Sequence, residues 1–143
     1  MSSENLAAGI VALVRNFGLH RPEETPCGEP IPVGEAHALM DLAKHGPMNH
    51  GDLAVRLKLQ KSTVSRLVKQ LERRRWIARD NSSKDNRVIL IRLTRKGNAA
   101  ARRLSRARRT KFDKLLTAIP KHQRRDVIAT LTSLAQALEK HGV

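Results

Sequence analysis

Apolar side chains recur every three or four residues in six separate stretches of the chain, a spacing that places them on one face of a helix. The cleanest of these stripes lies near the end of the sequence, and the weakest lies just before it. The weak stripe consists of Ala99, Leu104, Ala107, Leu115 and Leu116. The pattern predicts helices over residues 4–18, 35–45, 51–59, 61–75, 95–117 and from Pro120 through Leu138.

Two kinds of segment interrupt the helical spacing. Residues 20–34 are rich in proline and glycine, which forbids a continuous helix and predicts an irregular connector. Residues 88–91 form an apolar, largely β-branched run that predicts a strand, with residues 77–79 as its partner. The segment 77–93 is therefore predicted to be a hairpin with a charged tip at 81–87. The predicted element order is α-α-α-α-β-β-α-α.

Positive charge is concentrated in the later two thirds of the chain. With 28 basic and 13 acidic residues among 143, the net charge is +15. Residues 1–48 carry a net −3, residues 49–97 a net +10 and residues 98–143 a net +8. A localised positive field attracts phosphate polyanions. Because aromatic residues make up only 2% of the chain, a duplex is favoured over a single strand, whose bases would need stacking rings.

Length, hydropathy and cysteine content limit the number of domains, the cellular location and the kinds of cysteine site that we expect. A chain of 143 residues suits one compact protomer. It has no apolar run of roughly 18 residues, and its start lacks the layout of a signal peptide, so we expect a cytoplasmic protein with no membrane partner. The single cysteine, Cys27, cannot form an internal disulfide or a zinc site built from cysteines.

The helices predicted over 51–59 and 61–75 are separated by a short turn, the arrangement of a helix-turn-helix, whose second helix lies in the DNA major groove. The outward face of that second helix carries side chains able to bind base edges and phosphates: Lys61, Ser62, Thr63, Ser65, Arg66, Lys69, Gln70 and Arg73. An ordinary amphipathic surface helix is the alternative. The hairpin that follows favours DNA binding, because such a hairpin can place an arginine in the minor groove.

Residues 47–97 resemble the winged helix-turn-helix of the MarR family of bacterial transcription regulators. The matching pieces are LAVRL at 53–57, STVSRLVKQLE at 62–72, Asp85-x-Arg87 at the hairpin tip and Leu93-Thr94-x-x-Gly97. The resemblance implies a mainly α-helical fold with a small β-hairpin wing. It also implies that Lys84, Asp85 and Arg87 bind DNA, with Arg87 in the minor groove and Asp85 orienting it or pairing with a neighbouring arginine. Simple solvation of Asp85 at the tip is the alternative.

The resemblance further implies a homodimer on a pseudo-palindromic operator, with one recognition helix in each half-site. Residues 1–46 would supply a dimerisation helix and a helix packed on the DNA-binding lobe, residues 47–97 the lobe, and residues 98–143 the linking and dimerisation helices. The apolar stripe of the last helix agrees in part, because it needs a partner surface. The residues assigned to dimerisation are Leu6, Ile10, Leu13, Val127, Leu131, Leu134 and Leu138.

Two features depart from the family pattern. Gln60 stands where members often have a serine that caps the recognition helix, so we expect the cap to shift to Ser62 or to be lost. The proline-rich connector over 21–32 differs from the smoother join usual in the family and could reshape a ligand cleft.

Members of the family often respond to a small ligand, to oxidation or to zinc. We expect Cys27 to be passive, because neighbouring carboxylates disfavour its thiolate and the chain lacks the tyrosines of peroxide-sensing members. We expect no metal or cofactor, since residues 98–119 contain no histidine to complete a site with the ligand-type residues His20, Glu24, Cys27, Glu35 and His37. A small-molecule effector remains open; an anionic one could meet Arg15, His20, Arg102 and Arg106.

Three classes of function compete. The leading one is a homodimeric, sequence-specific regulator of transcription that binds double-stranded DNA, with repression as the expected mode. The alternative is a non-specific architectural DNA-binding protein, which would share the basic field without discriminating among sequences. An enzyme is not expected, because the chain has no phosphate-cradling glycine loop, no HExxH or GxSxG motif and no convincingly spaced carboxylate pair.

Overall fold

The computed structural model describes residues 2–82, 84–85 and 87–141. Strands β1 (Ile77–Asn81) and β2 (Ile89–Leu93) pair antiparallel, with Ile77 opposite Leu93. Within the described residues the helices are α1 (Ser3–Phe17), α2 (Val33–His45), α3 (His50–Leu57), α4 (Lys61–Arg73), α5 (Arg95–Ala118) and α6 (Arg124–His141). The predicted helical fold with a small hairpin is thereby confirmed.

Contacts within the chain divide it into two compact units, Met1–Ala107 and Arg108–Val143, with the boundary inside α5. The first unit holds a core shared by α2, α3, α4, the hairpin and the first part of α5. Its largest fully buried side chains are Ile31, Leu39, Leu53, Val64, Val68, Leu71, Ile91 and Leu104. This core fixes α4 against the two helices before it and against the hairpin after it.

The start of α5 lies directly against the backbone that follows α4. The Thr94 hydroxyl accepts a hydrogen bond from the Gly97 amide at 3.0 Å and donates one to the Arg75 carbonyl oxygen at 2.6 Å. The Thr94 amide donates to the Trp76 carbonyl oxygen at 2.9 Å. A Cβ at position 97 would lie 1.9 Å from that same oxygen, so only glycine fits there.

Several predicted boundaries differ from the structure. The second helix begins at Val33 rather than at residue 35, because Pro32, whose ψ of 142° is extended, occupies the cap position and ends the connector there. The fourth ends at Arg73 rather than at 75, because Arg75 has a left-handed φ of 61° that a right-handed helix cannot contain. The last begins at Arg124, since a 3-10 turn over Lys121–Gln123 follows Pro120.

The irregular connector predicted over residues 20–34 consists of turns that are held by hydrogen bonds within the segment. The Thr25 side chain is buried; its hydroxyl donates to the Glu29 carbonyl oxygen at 3.3 Å and accepts from the Glu29 amide at 3.1 Å. Ile31 is only 2% exposed and anchors the end of the connector in the core. The prolines therefore lie in a segment held by its own hydrogen bonds and by one apolar anchor.

Neither α1 nor α6 buries any of its residues within its own unit. The leucines predicted to lie at a dimer interface are largely open in the protomer: Leu6 is 57%, Leu13 50%, Leu131 47% and Leu138 46% exposed. Ile10, Val127 and Leu134 are half-buried. None of the helices in the described ranges combines the length and hydropathy needed to cross a lipid bilayer.

Candidate nucleic-acid interface

Helices α3 and α4 form the predicted helix-turn-helix. The Asn49 side chain caps α3 by accepting a hydrogen bond from the Asp52 amide at 2.7 Å. The turn that follows is made by Lys58, whose φ of 56° is left-handed. Gln60 occupies the cap position of α4, and its side chain makes no cap hydrogen bond there. Of the two outcomes expected for this cap, its loss is the one observed.

The two faces of α4 separate cleanly. Val64, Val68 and Leu71 are fully buried, and Leu67 is half-buried against Gly34, where an added Cβ would come within 3.1 Å of its side chain. Of the eight residues predicted to bind DNA from this helix, six are exposed: Lys61, Ser62, Arg66, Lys69, Gln70 and Arg73. Thr63 and Ser65 are half-buried on the flanks of the helix.

The wing tip presents one arginine to solvent. The side chain of Arg87 is 92% exposed. Asp85 Oδ1 accepts a hydrogen bond from the Arg87 amide at 2.9 Å and another from its Nε at 3.3 Å. Asp85 thus orients Arg87 itself, the first of the two arrangements that the resemblance implies. Lys84 is exposed beside this pair, whereas Ser83 and Asn86 of the predicted tip lie outside the described residues.

The outer face of α4 is positively charged, because the described acidic residues of α4 and the hairpin pair with arginines of the hairpin and not with the cations of α4. Each carboxylate of α4 and the hairpin pairs with a hairpin arginine: Glu72 with Arg79, Asp80 with Arg92, and Asp85 with Arg87. By contrast, the exposed cations of α4 (Lys61, Arg66, Lys69 and Arg73) form no ion pair with a described carboxylate. Exposed cations that are not paired with carboxylates produce a positive field, and such a field attracts the phosphate backbone of DNA.

The helix-turn-helix and the wing lie in a region that matches a protein-family model. The model of the MarR family matches residues 31–89, which span α2, the helix-turn-helix and most of the wing. The winged helix-turn-helix of this chain is thus similar to that of the MarR family. The resemblance noted in the sequence is thereby confirmed.

Individual proteins of known name or structure are similar to this chain. The HTH-type transcriptional repressor MdtR of Bacillus subtilis is 29% identical over 109 residues, which cover 76% of this chain and 70% of that protein. The crystal structure of Streptococcus pneumoniae FabT in complex with DNA superposes with a TM-score of 0.82 at 21% identity, covering 97% and 99% of the two chains. The Staphylococcus aureus MepR–DNA complex gives a TM-score of 0.67 at 25% identity, with coverage of 76% and 80%.

Between the helix-turn-helix and the wing lies an open cleft of about 390 Å³. His50, the first residue of α3, lies in its wall and contacts Ser65 of α4, with 3.3 Å between His50 Nε2 and Ser65 Oγ. His50 was not predicted from the sequence, because a lone histidine fifteen positions from Ser65 carries no spacing signal. The cleft is lined by His50, Ser65, Lys69, Arg79, Ile89 and Ile91.

An ion pair with a buried carboxylate joins α2 to the end of the recognition helix. Glu35 is 4% exposed, and its Oε1 accepts a hydrogen bond from Arg74 Nε at 2.9 Å. The Arg74 guanidinium also lies over the Trp76 ring, 4.8 Å from its centroid. Glu35, one of the ligand-type residues considered from the sequence, therefore joins α2 to the end of α4 and the start of the wing.

The remaining candidate sensor residues lie in α1, the connector, α2 and α5. Within the described ranges, no three histidine, cysteine, aspartate or glutamate side chains lie close enough together to hold a metal ion. Cys27 is a half-buried free thiol in the connector. The four residues considered for an anionic effector are all exposed: Arg15, His20, Arg102 and Arg106.

Proposed function

We propose that this chain is a sequence-specific transcription regulator of the MarR type that binds double-stranded DNA as a homodimer. In this proposal α4 enters the major groove and the wing reaches the adjacent minor groove. The outer residues of α4 contact bases and phosphates. Arg87 enters the minor groove, Lys84 lies against its phosphates, and Asp85 holds Arg87 in place.

One observation carries this proposal: the outer face of α4 is both exposed and electrostatically unpaired, while the acidic residues around it are already engaged by hairpin arginines. If a cation served only solubility, an ion pair with a neighbouring carboxylate would not impair the function of the protein. The α4 cations are not paired with a described carboxylate and lie beside a wing arginine whose side chain is 92% exposed. This arrangement fits a DNA duplex, because its phosphates supply negative charge along both grooves.

The homodimer is proposed from the open apolar stripes of α1 and α6. Leu6, Leu13, Leu131 and Leu138 are each about half-exposed in the protomer, and leucines so placed are stabilised by burial against a second copy. Residues 1–46 and 98–143 would then provide the dimer contacts, and residues 47–97 the DNA-binding lobe. A twofold dimer presents two recognition helices, which predicts a pseudo-palindromic operator.

Repression is the mode we propose, because MdtR, the relative that is 29% identical, is a repressor. A regulator of this kind acts in the cytoplasm, where the bacterial chromosome lies. The proposal assigns no enzymatic activity to the chain, and it leaves room for a small-molecule effector that releases the DNA.

The proposal is tested by selecting bound duplexes from a random pool at two salt concentrations. We expect enrichment of an inverted repeat whose half-sites are about one helical turn apart. Arg66→Ala should relax or abolish the enriched motif, whereas Arg109→Ala removes the same charge from an exposed site on α5 and should preserve it.

The net charge of +15 favours a second candidate function, an architectural protein that binds DNA of any sequence. That candidate predicts salt-sensitive binding with no enriched motif, and it predicts that Arg66→Ala and Arg109→Ala weaken binding equally. Such a result would refute sequence-specific regulation.

A further inference from the structure

The contact between His50 and Ser65 joins the two helices of the helix-turn-helix by side chains. His50 is half-buried at the first position of α3, and Ser65 is half-buried at the fifth position of α4, on the flank that faces the cleft. Ser65 lies in the N-terminal half of the recognition helix, the half whose residues reach base edges. Its hydroxyl is already engaged by His50 Nε2 at 3.3 Å before any duplex is bound.

The chemistry of this contact limits what Ser65 can offer a base. A serine hydroxyl has one hydrogen to donate and two lone pairs that accept. If His50 Nε2 accepts the hydrogen, only the lone pairs face the groove, and they match the amino groups of adenine or cytosine. If Nε2 carries a hydrogen and donates it, the hydroxyl hydrogen is free and matches O6 or N7 of guanine or O4 of thymine.

We propose that His50 is a specificity-determining residue: from α3, outside the recognition helix, it sets whether Ser65 donates to or accepts from a base edge. This inference rests on the proposed function and deepens it. His50 is a positioning residue in this scheme, since it acts through the Ser65 hydroxyl.

The geometry gives this pair a rigid setting. Asn49 caps α3 immediately before His50, which fixes the backbone from which the imidazole extends. Val64 and Val68 are fully buried beside Ser65, so α4 cannot rotate to release the hydroxyl. Because both ends of the hydrogen bond are held by packed helices, loss of the imidazole frees the hydroxyl to rotate without moving α4.

The test measures base preference rather than affinity alone. The operator selected from random duplexes is changed one base pair at a time across a half-site, and binding to each duplex is measured by competition for the wild type, His50→Ala, Ser65→Ala and the double variant. We expect Ser65→Ala to lose a preference of about 2- to 12-fold at one position, the range that one net hydrogen bond supports. His50→Ala should change the preference at that same position and no other. The double variant should match Ser65→Ala.

Two further variants separate positioning from a merely structural role. His50→Gln keeps both a donor and an acceptor and should retain a preference at the Ser65 position. His37→Ala removes an exposed histidine of α2 and should leave every preference unchanged. A uniform loss of affinity at all positions in His50→Ala would mean that His50 only supports the fold.

The outcomes are distinct. Unchanged base preference in His50→Ala, a uniform loss in that variant, or unchanged preference in Ser65→Ala would each overturn the role of His50 while leaving sequence-specific binding intact. If the wild type enriches no motif at all, the proposed function itself fails.

Discussion

Replacing Gly97 with alanine should destabilise the protein, although alanine is the better helix former. Residue 97 lies in the first turn of α5, and alanine there would gain about 1 kcal/mol of helix propensity. Its Cβ would lie 1.9 Å from the Trp76 carbonyl oxygen and 2.8 Å from the carbonyl carbon. These neighbours are backbone atoms, so no side chain can rotate away, and α5 must move by about 1 Å or more to relieve the overlap.

That movement would break the hydrogen bonds that hold the start of α5. The Thr94 amide is 2.9 Å from the Trp76 carbonyl oxygen, and the Thr94 hydroxyl is 2.6 Å from the Arg75 carbonyl oxygen. Overpacking costs about 1–3 kcal/mol, and each lost bond costs about 1 kcal/mol. After the gain in propensity, we expect the free energy of unfolding to fall by about 2–4 kcal/mol.

Urea unfolding followed by far-ultraviolet circular dichroism measures this change, with all proteins at one concentration because dimer stability depends on concentration. Gly51→Ala is the matched control: it is also a helical glycine, but an added Cβ would meet only Asn49 Oδ1 at 3.5 Å, an ordinary contact. We expect that control to be as stable as the wild type or up to about 1 kcal/mol more stable. A Gly97→Ala protein that unfolds at the wild-type midpoint would refute the close approach of α5 to Trp76.

Further substitutions probe the wing, the dimer, the ion pair of Glu35 and the thiol. Arg87→Ala should weaken operator binding by about 1–3 kcal/mol, measured by fluorescence anisotropy, and unchanged affinity would remove the wing from the interface. Leu131→Asp should give a monomer in light scattering, because it places a charge within the open stripe of α6; a variant that stays dimeric would contradict that interface. Arg74→Met should lower the free energy of unfolding by about 1–3 kcal/mol in urea, since it leaves the buried Glu35 carboxylate without its partner; a wild-type midpoint would speak against that pair. Cys27→Ser should leave any effector response intact in the binding assay, and loss of a peroxide response would show that the thiol is a sensor.

The element order was predictable from sequence because each helix shows its own periodic stripe and the hairpin its own β-branched run. The boundaries of the helices were less predictable from the sequence. Arg75 ends α4 in a left-handed conformation usually signalled by glycine or asparagine, and an arginine gives no such signal. The buried face of α5 consists of Gly97, Ala100, Ala101 and Leu104. Leu104 was part of the stripe predicted from the sequence, whereas Leu115 and Leu116 of that stripe are 42% and 41% exposed.

The candidate interface divides in the same way. The outer residues of α4 and the wing arginine follow from local spacing, which a sequence displays. The contacts that position them join residues far apart in the chain: Glu35 with Arg74, and His50 with Ser65. Only the packing of one helix against another brings such pairs together, so the periodicity of the sequence does not predict them.

Trp76 gives the molecule a built-in optical reporter. It is the only tryptophan in a chain that has no tyrosine, so emission excited at the red edge of protein absorption comes from a single ring. That ring is 7% exposed, lies under the Arg74 guanidinium and marks the point where the recognition helix gives way to the wing. Because DNA bases scarcely emit, a change in its intensity or wavelength on mixing with a duplex would follow movement of this junction without any attached dye.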